Sequence, residues 1–294
     1  MTTSTSNAQK KELLRLQKKG RAREEAGVFI VEGPRMAAEI PPERIVKLYV
    51  SESYAKREHT SAVDVSCRYG KASAGIPLNL ESVSLGGAEV LSDPVFARVS
   101  DTKTPQGVLA VVRRQEYTMA DILGVNPDKG ENTRGGQQTS REPHVLVLDN
   151  LQDPGNLGTI FRTAEAAGAT GLILSRDCVD IYNPKVIRST MGAVFRVPFL
   201  YTDDLPGAIG ELKAAGIRVF AAHLEGENAY DEEDYCGGCA FLIGNEGNGL
   251  RDEVTVCADC LIRIPMQGQT ESLYAAVPNV RRTSTVALEP FSPP

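Results

Sequence analysis

Two segments place polar side chains where a ligand could meet them. The first, Asp149-Asn150-Leu151-Gln152-Asp153-Pro154-Gly155-Asn156-Leu157-Gly158-Thr159-Ile160-Phe161-Arg162, spans the change from a predicted strand to a predicted helix. That is the ligand-facing edge of an open α/β sheet. Asn156 at the helix start and Arg162 six residues on could approach one cleft. Taken alone, an arginine on an apolar helix is explained better by an ion pair with Glu165 or a neighbour. The second segment, Gly244-Asn245-Glu246-Gly247-Asn248-Gly249-Leu250, also follows a strand. Its glycines let the backbone turn tightly and approach a ligand, and Glu246 puts a carboxylate at the same edge. It is not a GxGxxG sequence, and no P-loop occurs.

A third segment has Ile264-Pro265-Met266-Gln267-Gly268 and then Glu271-Ser272-Leu273. The cysteines offer a competing chemistry. Cys236 and Cys239, then Cys257 and Cys260, have the spacing of a four-cysteine zinc site. The stretch between the pairs reads as strand, glycine-rich loop and helix rather than a zinc-ribbon hairpin. Free, partly buried thiols and no metal are therefore expected. His59, His144 and His223 have no motif spacing and receive no catalytic role.

These segments need a scaffold, and the pattern of the chain supplies one. Apolar strand runs at 144–148, 171–174, 195–200, 218–222, 240–243 and 261–264 alternate with helical spacing at 157–167, 184–194, 203–215 and 250–258. Such alternation implies a parallel sheet covered on both faces. Before it, β-rich runs at 28–31, 44–50 and 107–112 suggest a smaller α/β unit. The resulting division is 8–115, a linker at 116–143 rich in turn formers, and 144–294. The length of 294 residues fits two domains of about 150 each.

Composition narrows the setting. Hydrophobic residues make up 41% of the chain, enough for globular cores, and no run approaches the roughly 20 apolar residues of a membrane span. The first residues contain no apolar signal core, so a cytoplasmic protein is expected. Six cysteines in such a length do not make a disulfide framework. The net charge of −6 argues against bulk coating of nucleic acid. Locally the balance reverses: from Lys10 to Glu25 there are seven bases and three acids. With Leu13, Leu14 and Leu16 this segment predicts one basic amphipathic helix, either a solvated face or a phosphate contact. The acidic run Asp231-Glu232-Glu233-Asp234 is expected to be a solvated loop.

In order, spacing and placement after strands, the three segments resemble the sequence motifs of the SpoU/TrmH family of SPOUT methyltransferases. Residues 28–33 and 101–112 also resemble the substrate-binding domain of many members. The resemblance implies a parallel-sheet α/β domain with a deep trefoil knot, an exception to the rule against threaded loops. A smaller α/β RNA substrate-binding domain would precede it. It implies transfer of a methyl group from S-adenosylmethionine to a ribose 2′-hydroxyl of RNA, with ribosomal RNA favoured over transfer RNA, and a homodimer formed through the knot domain. By the same resemblance Asn156, Arg162, Glu246 and Ser272 are catalytic or site-organising, and Gly244, Ile264 and Leu273 contact the cofactor.

The C-terminal end departs from the family pattern. Position 274 is Tyr where the pattern has Asn, and Ala275-Ala276-Val277 runs into Pro278. Proline costs about 3 kcal/mol inside a helix. Pro290, Pro293 and Pro294 oppose a second late helix. A shift of reading frame near codon 277 is the expectation, leaving 278–294 atypical. A catalytically impaired RNA-binding protein of the same fold and a transfer-RNA 2′-O-methyltransferase are the alternatives.

Overall fold

The structure is a computed structural model and describes residues 7–61, 88–124 and 142–263. It divides into two units, one of Met1–Glu116 with Asp180–Arg196, the other of Tyr117–Val179 with Val197–Pro294. The first unit opens with helices α1 (Asn7–Lys18) and α2 (Gly20–Ala26), then strand β1 (Val28–Glu32) and helix α3 (Pro34–Ala38). There follow β2 (Ile45–Ser51), α4 (Glu52–Ser61), β3 (Glu89–Leu91), α5 (Asp93–Val99) and β4 (Val108–Arg113). Its sheet has the order β1-β4-β2-β3; β4 is antiparallel to both neighbours and β2 is parallel to β3.

In the second unit α6 (Met119–Ile122) precedes β5 (His144–Leu148), α7 (Pro154–Ala167) and β6 (Gly171–Ser175). The chain then supplies α8 (Pro184–Thr190) to the first unit. It resumes with β7 (Phe199–Thr202), α9 (Leu205–Ala214), β8 (Arg218–Ala222), β9 (Asn228–Ala229), β10 (Cys239–Ile243), α10 (Asp252–Thr255) and β11 (Cys260–Arg263). The seven strands are all parallel, in the order β7-β6-β5-β10-β8-β11-β9. Val145, Val147, Ile173, Val219 and Leu242 are fully buried under α9 residues Ile209 and Leu212. Strands buried on both faces need continuous apolar runs, which is why this sheet was legible in the sequence.

Several expected boundaries move. The predicted basic helix is two, because Lys19 is extended (φ −120°, ψ 113°). Arg23 explains the break. Its Nη1 donates to the carbonyls of Leu16 at 2.7 Å and Gln17 at 3.1 Å, satisfying the end of α1, while Nε and Nη2 bind Asp180. Arg15 and Arg21 both pair with Glu25, at 2.7 and 2.9 Å, so part of the apparent basic charge is internally matched. The helix predicted at 184–194 ends at Thr190. Met191 adopts φ 49° and Gly192 φ 95°, a 3₁₀ turn follows at Ala193–Phe195, and the strand begins only at Phe199. Phe195 is instead a core residue of the first unit, with ring centroids 6.3 Å from Phe29, which also meets Tyr182 at 4.6 Å. The helix predicted at 250–258 is the single turn of α10. Glu233 is not solvated: it accepts from Arg218 Nη2 at 2.8 Å and Asn228 Nδ2 at 2.6 Å. Among the described residues no helix is long and apolar enough to cross a membrane.

Candidate active site

The carboxyl ends of β5 and β10 lie side by side, in register Ile243 against Leu148. The chain leaves β5 through Asp149 and through Asn150, whose φ of 53° an asparagine tolerates. It enters α7 at Asp153, whose Oδ1 accepts the Asn156 N–H at 2.8 Å as an N-cap, with Pro154 in the first turn. The helix therefore starts before the predicted residue 157, and Asn156 is already inside it.

The chain leaves β10 through Gly244, and the turn closes by mutual backbone bonds between Asn245 and Gly249, at 2.9 and 3.0 Å. A Cβ on Gly244 would stand 2.1 Å from the Gly249 carbonyl carbon and 2.2 Å from the Leu250 nitrogen. No side chain fits there. The Asn245 amide joins the two segments. Its Nδ2 donates to the Asn150 carbonyl at 2.8 Å, and its Oδ1 accepts the N–H groups of Gly247 and Asn248 at 2.9 and 3.1 Å.

Glu246 completes the junction. Its carboxylate accepts the N–H of Gln152 at 3.2 Å, the N–H of Asp153 at 3.0 Å and the Asn156 Nδ2 at 3.1 Å. Partial burial pushes its carboxyl pKa up, but these donors and its own backbone N–H outweigh that and hold it below its ordinary value. Glu246 is thus an ionised acceptor that orders the start of α7. Gln152, Asp153, Pro154, Asn156 and Glu246 line a shallow depression at this edge.

Arg162 stands six residues beyond Asn156, about 9 Å further along the helix axis. It is exposed and forms no ion pair among the described residues; the suggested pair with Glu165 is not formed. The structure therefore joins Asn156 to Glu246 and does not bond Arg162 to either. Ile264, Ser272, Leu273 and Tyr274 lie outside the described residues.

Two supports were missed in the sequence. Asp149 is fully buried and accepts from Arg251 through its backbone N–H at 2.9 Å, Nε at 2.8 Å and Nη2. The signal was available: an acidic residue ending a buried strand needs a donor, and Arg251 follows the glycine-rich turn. Cys178 lies beneath the same loop, where its Sγ accepts the Leu151 N–H at 3.2 Å and burial pushes the thiol pKa up. No disulfide joins the described cysteines, and among the described residues no group of three or more potential metal ligands gathers.

The sequence profile of the SpoU rRNA Methylase family matches residues 143–287, and that of the MRM3-like substrate binding domain matches residues 7–110. A 23S rRNA (guanosine-2′-O-)-methyltransferase, RlmB of Xanthomonas campestris pv. campestris, is 35% identical over 189 residues, which cover 62% of this chain and 74% of that protein. The chain belongs to the SpoU family. The 23S rRNA (guanosine(2553)-2′-O)-methyltransferase RlmP of Bacillus subtilis is also 35% identical, over 188 residues that cover 64% of this chain and 67% of RlmP. An AdoMet-bound rRNA methyltransferase from Sinorhizobium meliloti superposes with a TM-score of 0.71 at 28% identity, covering 95% of this chain and 94% of that one. The SpoU match runs through Tyr274 and ten residues beyond Val277.

The described part of the SpoU domain suits this family's methyl donor. Gly247, Asn248 and Gly249 are exposed in the turn; their N–H groups and the Gly249 carbonyl are taken up by Asn245, which leaves the carbonyls of Gly247 and Asn248 to face a ligand. Carbonyl acceptors of this kind match the amino group on the edge of an adenine.

Proposed function

We propose that this chain transfers a methyl group from S-adenosylmethionine to a ribose 2′-hydroxyl of RNA, with ribosomal RNA as the favoured substrate. The observation that carries the reading is the junction of Glu246 with Asn156 and the start of α7, the helix that also carries Arg162, an exposed arginine with no ion pair among the described residues. Membership of the SpoU family supports it.

Bound S-adenosylmethionine supplies a methyl group already activated by its sulfonium. The protein's own task is to orient a weakly nucleophilic hydroxyl and to hold the charge that develops on its oxygen as its proton leaves. Glu246, charged and saturated with donors, serves as the organiser that fixes Asn156. Arg162 is assigned to the RNA phosphate or to the incipient alkoxide. An arginine keeps its proton at any ordinary pH, which makes a pairing role easier than that of a base. Gly244, Ile264 and Leu273 are assigned to the cofactor and Ser272 to the catalytic group.

The preference for ribosomal RNA rests on the RlmP and RlmB relatives and on the substrate-binding domain at the N-terminus. A homodimer through the SpoU domain and a cytoplasmic setting belong to the same reading, as does the division at 8–115, 116–143 and 144–294. Tyr274 favours a second reading, in which the chain binds RNA without catalysis. The test is transfer of labelled methyl from S-adenosylmethionine to unmethylated ribosomal and transfer RNA, with calorimetry of cofactor binding. Wild type should label ribosomal RNA; Arg162→Ala should abolish labelling while cofactor affinity is nearly unchanged. Equal loss of both would overturn the role of Arg162, and absence of cofactor binding in wild type would favour the second reading.

A further inference from the structure

The first unit contains a second ordered polar constellation, where β1 ends and the chain enters β4. Glu32 closes β1 and is only 7% exposed. A buried carboxylate is costly unless its oxygens are bonded. Among the described residues, every bond its carboxylate makes comes from one loop: Ser100 Oγ at 2.5 Å, Thr102 Oγ1 at 2.6 Å and the Asp101 N–H at 3.0 Å. Asp101, the one acidic side chain on that loop, is taken up by Arg188 Nη2 at 2.9 Å. The loop is thus pinned from beneath by Glu32 and from the side by Arg188.

What this pinning displays is a cationic and polar surface. Lys103, Thr104 and Gln106 are exposed, as is Arg35, two residues beyond the Gly33 that faces Gln106, and neither Lys103 nor Arg35 forms an ion pair among the described residues. Gln106 is placed against the other edge of the same feature, since its Oε1 lies 2.8 Å from where a Cβ on Gly33 would stand. The loop carries none of the exposed large apolar side chains that centre a protein interface. Exposed cations beside amide and hydroxyl groups are the donors that meet phosphates and ribose hydroxyls.

We propose that residues 100–106 together with Arg35 form an RNA-contacting surface of the N-terminal unit, and that Glu32 is its positioning residue. This rests on the RNA-methyltransferase reading for the identity of the ligand. Lys103 and Arg35 neutralise phosphate, Thr104 and Gln106 bond sugar or base, and Glu32 touches no RNA.

The probe is a fluorescein-labelled fragment of large-subunit ribosomal RNA, titrated with the full chain at several salt concentrations. Lys103→Ala should weaken binding about tenfold and reduce the slope of log affinity against log salt by about one. Arg35→Ala should do the same, and cofactor affinity should not change in either. Glu32→Gln, which turns one acceptor into a donor facing donors, should raise the RNA KM about fivefold or more with kcat retained. Should that variant fold poorly, Thr102→Val removes one of the loop's bonds to Glu32 and should reproduce part of the effect, while Thr102→Ser should restore wild-type affinity. Unchanged affinity and salt slope in the Lys103→Ala, Arg35→Ala double variant, with methyl transfer still measurable, would overturn the surface and leave the proposed activity standing. RNA affinity that falls as expected in a protein that binds no S-adenosylmethionine would support the surface and overturn the catalytic reading.

Discussion

Asp149 and Arg251 are 102 residues apart in the chain, yet the buried carboxylate of the first is bound by both the guanidinium and the backbone N–H of the second. Asp149 is 0% exposed and Arg251 is 41% exposed, so the pair is dry on one side and wet on the other. It joins the first residue beyond β5 to the residue that follows the turn after β10. The distance between the first and second motifs is set by this contact as well as by the sheet.

Removing the arginine should therefore be costly. Arg251→Ala leaves a buried carboxylate with its backbone donor alone, and we expect a loss of about 2–4 kcal/mol, below the full cost for a buried pair because water reaches the arginine side. Chemical denaturation measures this. The double variant Arg251→Ala, Asp149→Asn should recover part of the loss, since the stranded charge is gone.

Glu246 predicts a pH dependence with a definite sign. Its carboxyl pKa is lowered in the folded state, burial being outweighed by the N–H groups of Asp153, of Glu246 itself and of Gln152, together with the Asn156 amide. Its contribution to stability is then present above the unfolded carboxylate value of about 4.3 and is lost as pH falls through the lower folded value. Glu246→Gln should flatten the acid limb of the stability profile relative to wild type. An acid limb identical in the two proteins would show that the carboxylate is not held as described.

Gly244 should tolerate no side chain. A Cβ there meets backbone, which cannot swing aside as a flexible side chain could. Gly244→Ala should weaken S-adenosylmethionine binding at least tenfold through displacement of the turn, with a smaller fall in thermal stability. Calorimetry and melting curves read the two effects separately.

Tyr274 offers a gain-of-function test. If its departure from the family pattern impairs cofactor binding, Tyr274→Asn should raise affinity for S-adenosylmethionine. Isothermal titration of the two proteins decides, and equal affinity would remove Tyr274 as grounds for the non-catalytic reading.

The parallel sheet of the second unit was readable along the chain because its strands are buried on both faces and consist of unbroken apolar runs, as at His144–Leu148 and Cys239–Ile243. The helix stops at Gly168 and Gly216 were readable for a related reason, since both glycines adopt positive φ where a helix must end. The fate of 184–200 was not readable. Its apolar residues fit a helix and a strand of the second unit, but Phe195 is spent on Phe29 in the first, as is the preceding Tyr182. Periodicity reports that a residue is buried and not against what. Two-residue β9 was too short to show any period.

The candidate site divides along the same line. Asn156, Arg162, Gly244 and Glu246 were marked by residue type and by position at strand ends, which are local properties of the chain. Their grouping was not local. That Glu246 reaches the start of α7 and that Asp149 is bound by Arg251 depend on the adjacency of β5 and β10. The sequence by itself determined most strands of the parallel sheet, the family and the residue types available for chemistry, because periodicity and capping act over a few residues. Only the tertiary structure decided which donors meet which carboxylates, because a hydrogen bond between residues some ninety positions apart exists only once the strands beneath them are in register.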